Sequence, residues 1–236
     1  MSNTLIILRQ KLQAMANPAL QQSGQRFFKE SVKMYGIKTP DVITLAKKSF
    51  KTIQDPSKTE IWQLCEQLWQ SGYLEESFIA CQLCYLLRKQ YDETDWSVFE
   101  KWIDNYVTNW ASCDTFCNHS VGTFVEMYPH FVQQLKKWTH AKNLWLRRAG
   151  AVTLIIPARK GLFLPDIFAI ADILLQDKED LVQKGYGWLL KAASQAHQQE
   201  VFDYVMAHKQ AMPRTALRYA IEKMPPELKA QAMKKE

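Results

Sequence analysis

Apolar residues recur along this chain at spacings of three and four, the period of helices with one buried face. Leu5, Leu8, Leu12 and Met15 form the first set, closed by Asn17-Pro18. A second helix is predicted from there to Tyr35-Gly36. Thr39-Pro40-Asp41 opens a third, with proline in the first turn, where its missing N–H does no harm. Asp55-Pro56-Ser57 opens a helix carrying Ile61, Leu64, Leu68 and Trp69. The next carries Phe78, Ile79, Leu83, Leu86 and Leu87, and Thr94 or Asp95 caps one with Val98, Phe99, Ile103, Tyr106 and Val107. Further helices are predicted at about 110–126, 129–138, 142–156, 165–176, 179–195, 198–208 and 212–224, followed by a short tail helix.

No stretch alternates as a strand would, and no low-complexity linker divides the chain, so one all-α domain over 1–236 is expected. Helices of roughly 10–16 residues joined by short turns cannot bury their faces alone. They suit an α-solenoid of antiparallel HEAT-like helix pairs, and a globular bundle satisfies the same pattern. Composition agrees: the 8 glycines among 236 residues amount to about half the average usage of ~7%, and long helices need few.

Charge adds a direction. Up to Asn118 there are 13 basic and 13 acidic residues; from His119 onward there are 17 against 11, with all five histidines. The whole net charge of +6 therefore lies in the C-terminal half, which favours a polyanionic partner. The N-terminal apolar run is too short for a signal peptide or anchor, and nothing approaches the ~18 uninterrupted apolar residues of a membrane span. Cys65, Cys81, Cys84, Cys113 and Cys117, an odd number set in helical patterns, read as reduced thiols in a cytoplasm.

Three helices carry residues that a plain core does not require. On the helix that begins with Asn109–His119, Trp110, Cys113, Cys117, Val121 and Phe124 form one stripe, with Asp114 at its margin. That carboxylate either caps or pairs locally, or serves as a fixed anion able to stabilise a cation. In Asn143–Gly150, Arg148 lies on a largely apolar helix, about 60° from Trp145 and about 40° from Val152, while Arg147 points well away. Arg148 forms a structural ion pair or reaches towards phosphate, where its bidentate fork is useful. In Leu181–Ala193, Val182, Tyr186, Leu189, Leu190 and Ala193 form the core face, and Trp188 lies elsewhere, flanked by Lys184 and Lys191. Gly185 and Gly187 weaken this helix by about 1 kcal/mol each, so either a neighbouring helix packs closely there or Trp188 and its lysines face a nucleic-acid backbone.

Other constellations do not amount to sites. Cys81 and Cys84 have metal-like spacing but sit inside an apolar helix, and Cys117 with His119 lacks any nucleophile elbow. There is no phosphate-binding loop, dinucleotide fingerprint or zinc-protease motif.

The three helices together resemble the DNA alkylation repair family of AlkD-type glycosylases, built of HEAT-like pairs. The matching pieces are Trp110-x-x-x-Asp114, Asn143-x-Trp145-Leu146-x-Arg148-Ala149 and Gln183-Lys184-x-x-Gly187-Trp188-x-Leu190, with Tyr35-Gly36-Ile37-x-Thr39-Pro40 upstream. The resemblance implies a C-shaped solenoid with a basic concave face that grips double-stranded DNA. It implies hydrolytic excision of cationic N3- and N7-alkylated purines, with no metal or organic cofactor; a monomer is the default. By position, Asp114 matches the catalytic aspartate, Trp110 and Trp188 the paired tryptophans, and Arg148 the phosphate-contacting arginine. Lys184, Lys191 and Phe27 complete the implied DNA-binding set. Phe27 stands where a tyrosine can occur and Lys191 where an arginine can, losing a hydroxyl and exchanging a fork for a point charge. The Ala-Ser-Cys run between Trp110 and Asp114 is also a variant.

The residue types fit that chemistry. An alkylated purine already carries positive charge, so its glycosidic bond breaks with little acid assistance. Its loss leaves an oxocarbenium-like sugar, which Asp114 would stabilise while orienting water. Indoles at 110 and 188 suit a cationic base or sugar. The alternative is a HEAT-like scaffold that binds DNA or a protein without catalysis.

Overall fold

The structure, a computed structural model, describes residues 2–54 and 56–234. Among them every regular element is helical, apart from one isolated bridge between Lys33 and Tyr73. The chain divides into two compact units, 1–116 and 117–236. No linker marks the division, and the first unit has 13 basic against 13 acidic residues while the second holds the entire +6.

The first unit contains α1 (Ser2–Met15), α2 (Pro18–Gln25), α3 (Thr39–Thr52), α4 (Lys58–Trp69), α5 (Leu74–Leu86), α6 (Asp95–Tyr106) and α7 (Trp110–Phe116). Local chemistry sets their starts. Asn17 accepts the backbone N–H groups of Ala19 and Leu20, and Ser57 forms a reciprocal capping box with Glu60. Asp55, expected to help open α4, lies outside the described residues. α5 packs against α3, α4 and α7, and the buried rings of Phe99, Trp102 and Phe116 meet at centroid separations of 5.4–6.2 Å. Phe116 thus anchors the C-terminal end of α7 in the aromatic core.

The predicted helix from Pro18 to Gly36 is shorter than expected. α2 ends at Gln25, and residues 26–37 run as irregular chain because distant side chains satisfy their backbone. The buried Glu75 carboxylate accepts N–H groups from Tyr35 (2.9 Å), Gly36 (2.8 Å) and Ile37 (3.1 Å). The Gln25 amide accepts Val32 N–H and donates to the Glu30 carbonyl. Gly36 (φ 79°) is obligatory, since a Cβ there would lie 2.2 Å from the Asn17 carbonyl oxygen. Glu76, also buried, accepts from Arg9 at 3.0 Å and from the Tyr35 hydroxyl at 2.8 Å. Burial and that carboxylate together push the Tyr35 phenol pKa up.

The second unit contains α8 (Gly122–Met127), α9 (Val132–Trp138), α10 (Leu144–Val152), α11 (Ile155–Arg159), α12 (Leu164–Leu174), α13 (Asp180–Ala193), α14 (Gln198–His208), α15 (Arg214–Ala220) and α16 (Pro226–Met233). α13 is its hub, touching α10, α11, α12, α14 and α15. Two expected helices are interrupted. The predicted 110–126 helix contains a π-helical turn at Cys117–Val121, after which Gly122 packs where a Cβ would be 2.8 Å from the Thr153 carbonyl oxygen. The predicted 142–156 helix breaks after Val152 because Pro157 can neither bond to nor tolerate the carbonyl of residue 153. Of the predicted stripe, Cys113, Cys117, Val121 and Phe124 are fully buried and Trp110 is half-buried. None of the five cysteines is in a disulfide and all are buried, and desolvation pushes the Cys65 and Cys81 thiols well up, so they pack as core side chains. No described helix is long and apolar enough to cross a membrane.

Candidate nucleic-acid interface

In the first unit the structure brings together residues 83 positions apart. The Trp110 indole N–H donates to the Phe27 carbonyl at 3.2 Å, and its ring stacks on Phe28 with centroids 5.5 Å apart at 26°. Asn109 fixes the start of α7, its amide oxygen accepting Ser112 N–H at 2.9 Å. With Phe116 locked in the core at the other end, α7 holds Trp110 and, one turn later, the half-buried Asp114 on a rigid support. A cavity of about 270 Å³ borders Trp110, lined also by Leu20, Phe28, Met34, Ile37 and Phe78, so part of the indole faces open space. Phe27, expected among the DNA-binding residues, is 75% exposed beside it.

Sequence reasoning missed Phe28 and Glu75, which support this cluster. Two adjacent acids at the start of α5 read as ordinary first-turn residues. Only the fold shows that both are buried and hold the 26–37 segment against α5.

In the second unit, α13 and α10 carry the remaining candidates. Arg148 is 5% exposed, and its guanidinium donates to the Leu181 carbonyl. Its stem and fork lie 3.6 Å from where a Cβ on Gly185 would sit, so it ties α10 to α13 by packing as well. Arg147, on the other face, pairs with Asp177 at 2.6 Å. Trp188 is half-buried one turn beyond Gly185. Lys184 pairs with Asp180 at 2.7 Å within its own helix. Lys191 reaches Glu222 at 2.8 Å and lies 5.3 Å from the Tyr219 ring, and its hydrogen bond holds Glu222 below the usual carboxylate range.

The glycines divide. A Cβ on Gly187 would fall 2.7 Å from both the Ala216 carbonyl oxygen and Tyr219 Cβ, so α15 crosses α13 there. Opposite signs follow for two alanine substitutions. Gly185→Ala meets only ordinary contacts and should gain up to about 1 kcal/mol of helix propensity. Gly187→Ala must displace backbone, a strain of about 1–3 kcal/mol that outweighs the same gain. Urea unfolding of both variants checks this.

Residues 8–224 match the family model for DNA alkylation repair enzymes. The chain belongs to the DNA alkylation repair enzyme family. The solved structure of a predicted DNA alkylation repair enzyme from Enterococcus faecalis has the same all-α helical-repeat fold. It superposes with a TM-score of 0.80 over 90% of this chain and 98% of that one, at 18% identity. No curated protein matches the sequence. As a DNA alkylation repair enzyme, the protein needs a surface for a polyanion, and its second unit carries the net positive charge.

Proposed function

We propose that this alkylation repair enzyme is a monofunctional DNA glycosylase that hydrolyses the N-glycosidic bond of cationic N3- or N7-alkylated purines in duplex DNA. It works as a cytoplasmic monomer with no metal or organic cofactor. One observation carries the reading: α7 holds an indole, fixed by the Phe27 carbonyl and the Phe28 ring, one turn before a half-buried carboxylate. A preorganised π face and a fixed anion are what a cationic leaving base and an oxocarbenium-like sugar require.

Asp114 stabilises the sugar cation and orients the attacking water. Trp110 and Trp188 offer their ring faces to DNA. Lys184, Lys191, Phe27 and Arg148 belong to the DNA-binding set. Lys184 would exchange Asp180 for a phosphate at low cost, because exposed pairs are worth only about 0.2–1 kcal/mol, while Lys191, largely buried over Tyr219, would give up its Glu222 pair less readily. Arg148, buried against Leu181, holds α13 in place, and only the small part of it left at the surface would meet phosphate.

An end-labelled duplex with a single 7-methylguanine tests this. Purified protein should create an alkali-labile abasic site at that position, with a rate at limiting enzyme that falls steeply between about 50 and about 200 mM salt. Salt-dependent binding with no abasic site would instead favour the non-catalytic scaffold.

A further inference from the structure

We infer that the groove between α4 and α6 is a docking site for an extended, arginine-bearing segment of a partner protein. The inference stands apart from the proposed chemistry, since none of the residues assigned to DNA or to catalysis lies on these two helices.

The groove has a volume of about 520 Å³. Exposed Gln63, Gln67 and Gln70 line its α4 wall, with the more deeply set Trp62, Glu66 and Trp102 beneath them. The three glutamines follow at i, i+4 and i+7, a single stripe rising about 10 Å along the helix. That is the length of about three residues of extended chain. Each carboxamide both donates and accepts, as a peptide unit does, so the row can satisfy a backbone laid along it. Gln70 also donates to the Tyr106 hydroxyl at 3.4 Å.

Below this row the groove suits a cation. The Glu66 carboxylate accepts hydrogen bonds from Lys101 (2.7 Å), Trp102 and Tyr106. Burial opposes its charge, but these donors outweigh burial and hold the carboxyl below the usual range, so it stays an anion. The half-buried Trp62 donates its indole N–H to Asp95 at 2.9 Å, which fixes the ring and leaves its face for contact. A guanidinium combines a planar fork for a carboxylate with stacking on an indole. Lys101 holds that place from the rim; its side chain is 52% exposed, so it can swing out as an arginine enters.

Charge selects the partner. α4 and α6 together carry five acidic and two basic side chains, in a protein whose net charge is +6. Such a surface repels phosphates and attracts a basic peptide.

The test is fluorescence anisotropy of fluorescein-labelled heptapeptide pools titrated with the full chain. One pool has arginine fixed at its centre and the other glutamate; glycine, serine and threonine fill the remaining positions. The arginine pool should bind saturably, and more tightly than the glutamate pool by at least about tenfold. Glu66→Gln should weaken it about tenfold, the loss of one charge-assisted pair. Combining Gln63→Ala with Gln67→Ala should weaken it severalfold; both positions are exposed, so melting should stay within about 1–2 °C of wild type. Lys101→Ala should strengthen binding severalfold by removing the resident competitor, an effect that a purely structural Glu66 would not produce. Equal binding of the two pools, no saturable binding, or indifference to the glutamine and Lys101 changes overturns the proposal. Displacement of the peptide by an unmodified duplex oligonucleotide also overturns it, making the groove a DNA surface. Displacement by self-association at high protein concentration overturns it too, placing a second copy there.

Discussion

Asp114→Asn is expected to lower the single-turnover rate of 7-methylguanine release by about 100-fold or more. The amide keeps the size and shape of the carboxylate and removes its charge. A neutral group cannot offset the positive charge that gathers on the sugar as the base departs. In a half-buried position that interaction is screened less than it would be in open water. Binding should change by no more than about threefold, because the lost interaction belongs to the transition state. A matched loss of affinity and rate would mean that Asp114 serves the fold or the docking of DNA. Thermal melting of the same preparation identifies a merely unfolded variant.

Glu75→Ala is expected to be the most damaging change outside the aromatic core. It strips the acceptor from three backbone N–H groups, those of Tyr35, Gly36 and Ile37. Gly36 N–H is buried; at about 1–3 kcal/mol for a buried group left without a partner, the total loss should be about 3 kcal/mol. Glu75→Gln keeps one acceptor oxygen and should lose roughly half as much. Urea unfolding gives the stability, and hydrogen exchange should show early loss of protection at Tyr35–Ile37. Since the same segment carries Phe27 and Phe28, Trp110 loses its support, and base release should fall further than stability alone dictates.

Helix faces were the most legible part of the sequence, because burial imposes its own period. Leu8, Leu12, Leu64, Leu68, Phe99 and Ile103 were all placed in the core by spacing and are buried. Apart from the break that Pro157 imposes locally, the failures come from contacts that no helical period encodes. Residues 26–37 carry no strong helix breaker before Gly36, and they leave the helix because Glu75 and Gln25 take their hydrogen bonds. The π-helical turn at Cys117–Val121 accompanies the close approach of Gly122 to the Thr153 carbonyl, a contact no local pattern encodes. At the candidate site, residue types were legible and their environments were not. Spacing singled out Trp110 and Asp114, while the Phe28 stack, the burial of Arg148 and the Lys191–Glu222 pair came from packing. For Gly187 the two readings left open by its helix cost are now separated, since α15 occupies the space.

Membership in an alkylation repair family leaves two chemistries distinct: cleaving the bond to the sugar, or removing the alkyl group from the base. Duplex DNA methylated with a radiolabelled methyl donor distinguishes them in one chromatogram of the soluble products. Hydrolysis at the glycosidic bond predicts that the label leaves the DNA as intact 3-methyladenine and 7-methylguanine, in amounts equal to the abasic sites formed. Label recovered on the protein or in a one-carbon product, with the purines still in the DNA, would contradict it.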